Sequence, residues 1–280
     1  MIAAIWGPEK SWKSTMALTF PKPMYHFDLD IGGFGRAAWR LKPEELAQVE
    51  SKPYPTPIQL EKLIGHVKDG PSIRFPKKLF GIKEVWQRIV VDFVAACNNP
   101  KFLSIAFDSA TQLWFICHRG FLQEVQERQV YRYLHNKDGN LIPGREEKNF
   151  PGNEFREKLQ SIEYGDPNDR MRSLIYAARS FGKHLILTHY PRDVYGQRLT
   201  DRGIEEYKTG EIEPDGFKDT QKLVDIVIWV DVAKTGDDAG KAFGKITKCG
   251  LEGLGTAANG LSIEPSYQGI MNLQRSMTEG

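Results

Sequence analysis

Cysteine is scarce: three residues in 280, Cys97, Cys117 and Cys249. Three thiols build no disulfide framework, and their spacing matches no metal site. They read as small buried hydrophobes in a reducing compartment. No apolar run approaches the roughly 18 to 20 residues of a membrane span. The N-terminus carries neither a basic leader nor a cleavage site, so a soluble cytoplasmic protein is expected. A strong charge of either sign is missing too. With 38 Lys and Arg against 36 Asp and Glu, the net charge is only +2. Any contact with nucleic acid must therefore come from local patches. Internal repeats and low-complexity tracts are also absent. What is present, 40% hydrophobic and 26% charged residues, is ordinary for a globular chain, and the length suits one large α/β domain or two small ones.

The most informative stretch is Gly7-Pro8-Glu9-Lys10-Ser11-Trp12-Lys13-Ser14-Thr15, directly after the apolar run 2–6. It fits the phosphate-loop pattern G-x-x-x-x-G-K-[ST] at Gly7, Lys13 and Ser14. A strand, a tight loop and a helix start aim backbone N–H groups at one point. Lys13 then offers a point charge to the β- and γ-phosphates and the Ser14 hydroxyl a ligand for Mg²⁺. Trp12 stands where the second glycine belongs. Either its indole turns away and packs on a neighbouring element, or the loop is distorted and binding is weak.

Further along, residues 14–20 read as a short helix ended by Pro21 and Pro23, and residues 24–30 as a second strand closed by Ile31-Gly32-Gly33. Asp28 and Asp30 at that strand end are either site residues or solvated turn residues. The proline-broken stretch 41–82 reads as an insertion on the sheet edge, with short helices around 44–50 and 58–67. Residues 83–98 carry a helical apolar stripe. The apolar run 102–107 ending in Asp108 reads as a strand buried on both faces. With a phosphate loop upstream, Asp108 is the second Mg²⁺ residue; alone, it would cap the next helix.

A helix is expected from Ala110 to about Gln129, and 126–150 as a polar loop mixing Lys, Arg and Tyr. It is either a surface that tracks a single strand or a plain solvated loop. Strands are expected at 184–190 and 223–230, the second paired antiparallel with 242–249. The charged segment 191–222 reads as a hairpin turning at Lys208-Thr209-Gly210. Residues 251–280 read as a loosely held tail or a partner-contacting arm.

In this order the pieces resemble the RecA-like P-loop ATPases, and look most similar to short phage-encoded nucleotide-binding proteins that accompany single-strand annealing and replication genes. The likeness rests on residues 7–15, Asp28-Leu29-Asp30-Ile31-Gly32-Gly33, Phe107-Asp108-Ser109-Ala110-Thr111, Leu187-Thr188-His189 and the strand 224–230, and spans about residues 1–250. It implies an α/β fold with a mostly parallel central sheet, flanking helices and antiparallel C-terminal strands, binding ATP and Mg²⁺. By the same resemblance Asp30 takes the place of the glutamate that orients the attacking water, one methylene shorter, and His189 that of the residue sensing the γ-phosphate. It further implies a ring or filament of like subunits in the host cytoplasm, with a basic finger from the neighbour; Lys241, Lys245 and Lys248 are candidates by position. The segments 126–150 and 191–222 would face single-stranded DNA. The separate N-terminal polymerisation segment of full-length recombinases has no counterpart before the loop at residue 7.

The resulting expectation is an ATPase acting on single-stranded DNA in phage recombination or replication. Two rivals stand beside it: a nucleotide-gated binding module with little hydrolysis, and a small-molecule kinase, for which Arg170 and Arg172 make a poor lid.

Overall fold

Five residues without a charge, Ile2–Trp6, form β1, buried along its whole length. The computed structural model describes residues 1–30, 32–57, 78–151, 154–200 and 203–279. After β1 come helix α1 (Lys13–Ala17), strand β2 (Met24–Asp28), helices α2 (Gly33–Ala38) and α3 (Pro43–Leu46), and strand β3 (Val49–Pro53). Helix α4 (Ile82–Asn98), strand β4 (Ser104–Asp108), helix α5 (Ala110–Leu134) and helix α6 (Gly165–Ser180) come next. The chain then runs through β5 (His184–His189), β6 (Pro191–Thr200), β7 (Gly203–Pro214), α7 (Thr220–Leu223), β8 (Ile226–Val232), β9 (Ala242–Cys249), β10 (Ser262–Ile263) and α8 (Tyr267–Thr278). The helix expected around 58–67 lies outside the described residues.

Two compact units emerge. The first comprises Met1–Tyr54, Phe93–Trp114 and Arg172–Gly280, the second Pro55–Asp92 and Phe115–Met171. The expected RecA-like core over residues 1–250 takes in parts of both units, and no composition shift marks the division.

In the first unit an eight-stranded sheet runs in the order β10-β9-β8-β1-β5-β4-β2-β3. From β8 to β3 all pairs are parallel, and β9 and β10 add antiparallel strands. This is the expected mostly parallel α/β sheet with antiparallel C-terminal strands. Strands buried on both faces need predominantly apolar sequences, which β1, β2, β4 and β5 supply. The register aligns the strand ends. Asp28 pairs with Asp108, Phe107 with Leu187 and Trp6 with His189, so four strands finish along one edge. Ligands in open α/β sheets bind outside that carboxyl edge.

The expected insertion 41–82 is partly structural. Its residues 49–53 form β3, parallel to β2 at the sheet's edge. The expected tail 251–280 is part of the core. Leu254, Ala258, Ile263 and Ile270 are buried with Ile226, Ile228 and Ile246, while Tyr267, Leu273 and Met277 pack against them. Ser266 caps α8, its Oγ accepting from Gly269 N at 3.0 Å, and Tyr267 N donates to Thr19 Oγ1 at 2.8 Å.

The segment 191–222 contains a hairpin, but Lys208-Thr209-Gly210 does not turn it. Those residues lie within β7, where the pairing jumps from Asp193↔Ile212 to Tyr195↔Lys208. Thr209, Gly210 and Glu211 are extruded as a bulge, with Thr209 Oγ1 donating to Val194 O at 3.0 Å. Among the described residues the hairpin's cations pair across the strands, Arg192 with Glu213 at 2.7 Å, Arg198 with Glu205 at 3.3 Å and Lys208 with Asp193 at 2.6 Å.

In the second unit α5 runs on to Leu134, so the first nine residues of the expected loop 126–150 are helical. Gln126, Glu127, Arg128 and Gln129 are good helix formers, and Tyr131 stacks on His135 one turn later at 4.0 Å. Phe121, Leu122, Val125 and Leu159 form this unit's small core. Gln123 Oε1 accepts from Ile82 N and Lys83 N at 3.0 and 3.1 Å. Arg170 forms a bidentate pair with Glu124, both bonds 2.9 Å.

Candidate nucleotide-binding site

The loop after β1 needs glycine at its first position. A Cβ on Gly7 would lie 2.0 Å from the Val230 carbonyl oxygen, so β8 passes too close for any side chain. The loop then bends through two non-glycine residues of positive φ, Lys10 at 61° and Trp12 at 74°. Trp12 thus adopts the left-handed backbone that a glycine would take at little cost. Its indole is held rather than loose. The Arg40 guanidinium lies over the ring at 3.4 Å from its centroid, and the ring packs partly buried against the core. The ring packs on a neighbouring element, as in one of the two alternatives, but it does not turn away: Trp12 and Arg40 both line the cavity beside the loop.

Lys13 opens α1 and is 7% exposed. Its ammonium donates to Gly7 O at 2.9 Å and Pro8 O at 2.5 Å and lies 4.9 Å from the centre of the Tyr190 ring. An ammonium has three donors, so one remains to offer a ligand. Burial lowers its pKa, and the opposing charges of Asp108, Asp30, Glu9 and Asp231 limit the fall.

Asp108, ending β4, is 3% exposed. Burial alone would push its carboxyl up. The neighbouring His26 and the hydroxyls of Thr188 and Ser14 outweigh that and hold it below the usual carboxylate range. Thr188 Oγ1 donates to Oδ1 at 2.5 Å. His26 Nε2 stands 3.6 Å from Oδ2, beyond hydrogen-bond reach, and Oδ2 has no donor. An ionised buried oxygen without a donor, beside a serine hydroxyl, is a fitting ligand pair for Mg²⁺. Among the described residues no group of three or more His, Cys, Asp or Glu could hold a metal by itself. That suits an ion taking most of its ligands from water and phosphate.

Asp30 lines the same cavity, and the Tyr190 hydroxyl donates to its carboxylate. Burial and that bond raise the tyrosine's pKa. Asp28, one residue before Leu29, is 7% exposed, with its pKa raised by burial; its Oδ1 has no partner.

All nine loop residues except Gly7 and Pro8 line one cavity of 570 Å³ together with Asp30, Asp108, Ser109, Thr188, Tyr190, Gly33, Arg36 and Ala37 of α2, and Arg40 just beyond it. That volume lies within the range of small-molecule sites, about 300 to 1,000 Å³.

His189 is the exception. It is 1% exposed, outside the cavity, with Nδ1 2.8 Å from Asp215 O and Nε2 unpartnered. The residue expected to sense the γ-phosphate thus lies outside the cavity that its neighbours Thr188 and Tyr190 line. Alternation along β5 puts Thr188 and Tyr190 on the cavity side and His189 on the other. That period of two was available in the sequence. Arg36 and Arg40 were missed as well; their signal is the helical spacing 33, 36, 37, 40 just after the Asp30 turn.

Of the proposed fingers, Lys241 pairs with Asp238 at 2.9 Å and Lys248 donates to Gln221 O at 2.6 Å, while Lys245 lies on β9. The two arginines that make a poor kinase lid are both paired, Arg172 with Asp219 at 2.6 Å and Arg170 with Glu124 at 2.9 Å.

No family model matches the chain, and no curated protein matches it. Among solved structures it is similar to a KaiC-like protein from the archaeon Pyrococcus horikoshii, at 11% identity and TM-score 0.42, over 94% of this chain and 83% of that one. It is also similar to the flagellar accessory protein FlaH from Methanocaldococcus jannaschii, at 13% identity and TM-score 0.39, with the same coverage. No helix among the described residues is long and apolar enough to cross a membrane.

Proposed function

We propose that this chain binds ATP with Mg²⁺ on the loop 7–15 and hydrolyses it. The observation that carries the reading is the meeting of Lys13, Ser14, Asp108 and Asp30 in one cavity at the sheet's carboxyl edge. Lys13 and the loop amides hold the phosphates, and Ser14 with Asp108 would hold the metal. Bound Mg²⁺ would neutralise charge on the phosphate oxygens. Asp30 orients a water and takes its proton. The water oxygen bonds to the γ-phosphorus as the bond from that phosphorus to the β,γ-bridging oxygen breaks. ADP leaves with the electron pair, and inorganic phosphate is the other product. Positioning and charge neutralisation suffice for such a transfer.

The finer reading is an ATPase that acts on single-stranded DNA in phage recombination or replication, as a ring or filament and beside a single-strand annealing or replication protein. Its support is the order of sequence motifs, together with exposed Tyr195 and Tyr207 on the β6–β7 hairpin as stacking surfaces. The hairpin's paired cations argue against a basic groove there. ATP hydrolysis by the purified protein, titrated with single-stranded, double-stranded and no DNA, tests both levels. Turnover with Mg²⁺ that Lys13→Ala removes is expected, with stimulation by single strands alone. No turnover in any arm defeats the enzyme reading.

A second reading, a nucleotide-gated binding module, is favoured by one contact: the Asp30 carboxylate is already engaged by Tyr190. Multiple-turnover phosphate release abolished by Asp30→Ala excludes it.

A further inference from the structure

Hydrolysis of a triphosphate needs positive charge at the terminal phosphate beyond one lysine, and such sites often borrow it from a neighbouring subunit. In this chain the cavity already contains a guanidinium of its own. The face of α2 and its succeeding turn that lines the cavity reads Gly33, Arg36, Ala37, Arg40, spaced i, i+3, i+4, i+7. Gly33 abuts the acids: a Cβ there would lie 3.6 Å from Asp108 Oδ2 and 3.6 Å from Asp28 Oδ1. Arg36 therefore begins one helical turn from the metal-side carboxylates and lines the same cavity. Arg40 is committed to the Trp12 ring. Arg36 has no carboxylate partner among the described residues, and its side chain is exposed at the cavity rim.

We propose that Arg36 supplies, in cis, the cation that meets the terminal phosphate, so that each chain completes its own charge at the site. The inference rests on the nucleotide reading above. A planar guanidinium suits the task, since it grips two phosphate oxygens at once and stays charged at all working pH. A lysine in its place keeps the charge and loses the fork.

The test measures fluorescent ATP and ADP affinity and phosphate release for the wild type, Arg36→Ala, Arg36→Lys and Lys13→Ala. Arg36→Ala is expected to keep ADP affinity within about threefold and to lose at least about tenfold in kcat. Arg36→Lys is expected to recover part of that loss. An excess of Lys13→Ala protein, which carries Arg36 but a broken phosphate site, is expected to restore nothing. Restoration on mixing would place the cation in trans and overturn the inference, as would a kcat within about twofold of wild type. Should the wild type bind but not turn over, the readout is its preference for ATP over ADP. Loss of that preference in Arg36→Ala supports the inference, and its retention defeats it. A wild type that binds neither nucleotide fails the nucleotide reading itself, and this inference with it.

Discussion

Tyr190 touches both ends of the proposed chemistry: its hydroxyl donates to the Asp30 carboxylate, and its ring lies 4.9 Å from the Lys13 ammonium. One side chain thus orients the water-side acid and flanks the phosphate-side cation. It also begins the β6–β7 hairpin, whose base is tied down where Asp215 N donates to Tyr190 O at 2.7 Å. Removing only the hydroxyl separates the two roles. Tyr190→Phe is expected to leave ATP affinity within about threefold and to lower kcat roughly tenfold to a hundredfold, because a misplaced base loses its near-attack geometry. Tyr190→Ala also strips the ring from Lys13, so its ATP affinity is expected to fall as well. Steady-state kinetics with a separate binding titration distinguishes the two patterns.

Trp12 balances a backbone cost against a side-chain gain. A left-handed φ costs an L-residue roughly 1 to 2 kcal/mol, which glycine avoids. Stacking under Arg40 returns about 0.5 to 2 kcal/mol. Trp12→Ala keeps the cost and loses the gain, whereas Trp12→Gly loses both. The glycine variant is therefore expected to be the more stable of the two by about 1 kcal/mol, read as the difference in denaturant midpoints. Equal midpoints would mean that the positive φ at Trp12 carries no strain.

Gly7 is constrained by space rather than by turn type. With only 2.0 Å between the place a Cβ would take and the Val230 carbonyl oxygen, Gly7→Ala forces β1 and β8 apart at the sheet's centre. A loss of roughly 3 kcal/mol or more is expected, at the upper end of overpacking costs. Thermal unfolding of Gly7→Ala beside Gly35→Ala provides the control, since nothing lies within 4 Å of a Cβ at Gly35.

How far the sequence can be read depends on which forces are local. The buried strands of the sheet are legible because each is mostly apolar, and Asp108 because it ends one. The phosphate loop is legible despite Trp12, since Lys13 and Ser14 keep their spacing. Long-range choices are not. Nothing near Asp30 announces Tyr190, 160 residues away, as its partner. The imidazole of His189 suits a sensor chemically, but the alternation of β5 favours Thr188 and Tyr190. The C-terminal segment looks like a tail because its glycine-rich start obscures the stripe of Tyr267, Ile270, Leu273 and Met277 behind it. The hairpin turn is misplaced because Lys208-Thr209-Gly210 suits a bulge as well as a turn.

Stability has a pH dependence with a definite sign. Burial lowers the His189 pKa from 6.5 to about 4, against the raising effect of the Asp215 carbonyl. Below pH 6.5 the unfolded chain takes up a proton that the folded chain refuses until about pH 4. The histidine's contribution is therefore full above its ordinary pKa and is lost as pH falls toward the folded value, an effect of roughly 3 kcal/mol. His184, lowered to about 4 by burial and the N-terminal charge, acts in the same direction. Urea unfolding from about pH 7.5 down to about pH 4 is expected to show this decline. His189→Asn, whose amide can still donate to Asp215 O, is expected to flatten it in part. An unchanged slope would show that His189 takes up its proton alike in both states.

The C-terminal segment offers the sharpest contrast between a detachable arm and a core element. Ile270 is fully buried among Ile226, Ile246, Ile263 and Leu254. An arm that merely waits for a partner would tolerate its truncation. A core residue at this depth loses both transfer free energy and packing, so Ile270→Ala is expected to cost about 2 to 5 kcal/mol. Shortening the chain to residues 1–250 removes β10 and α8 together. It bares the outer side of β9 and leaves Ile246 and Cys249 without their cover, and it removes the bond that Thr19 Oγ1 accepts from Tyr267 N at 2.8 Å. Thr19 lies two residues beyond α1, so this loss reaches the phosphate loop through the helix that carries Lys13 and Ser14. The shortened chain is expected to unfold without a cooperative transition and to bind no nucleotide. A fragment that melted cooperatively with ATP affinity intact would return residues 251–280 to the role of an appended arm.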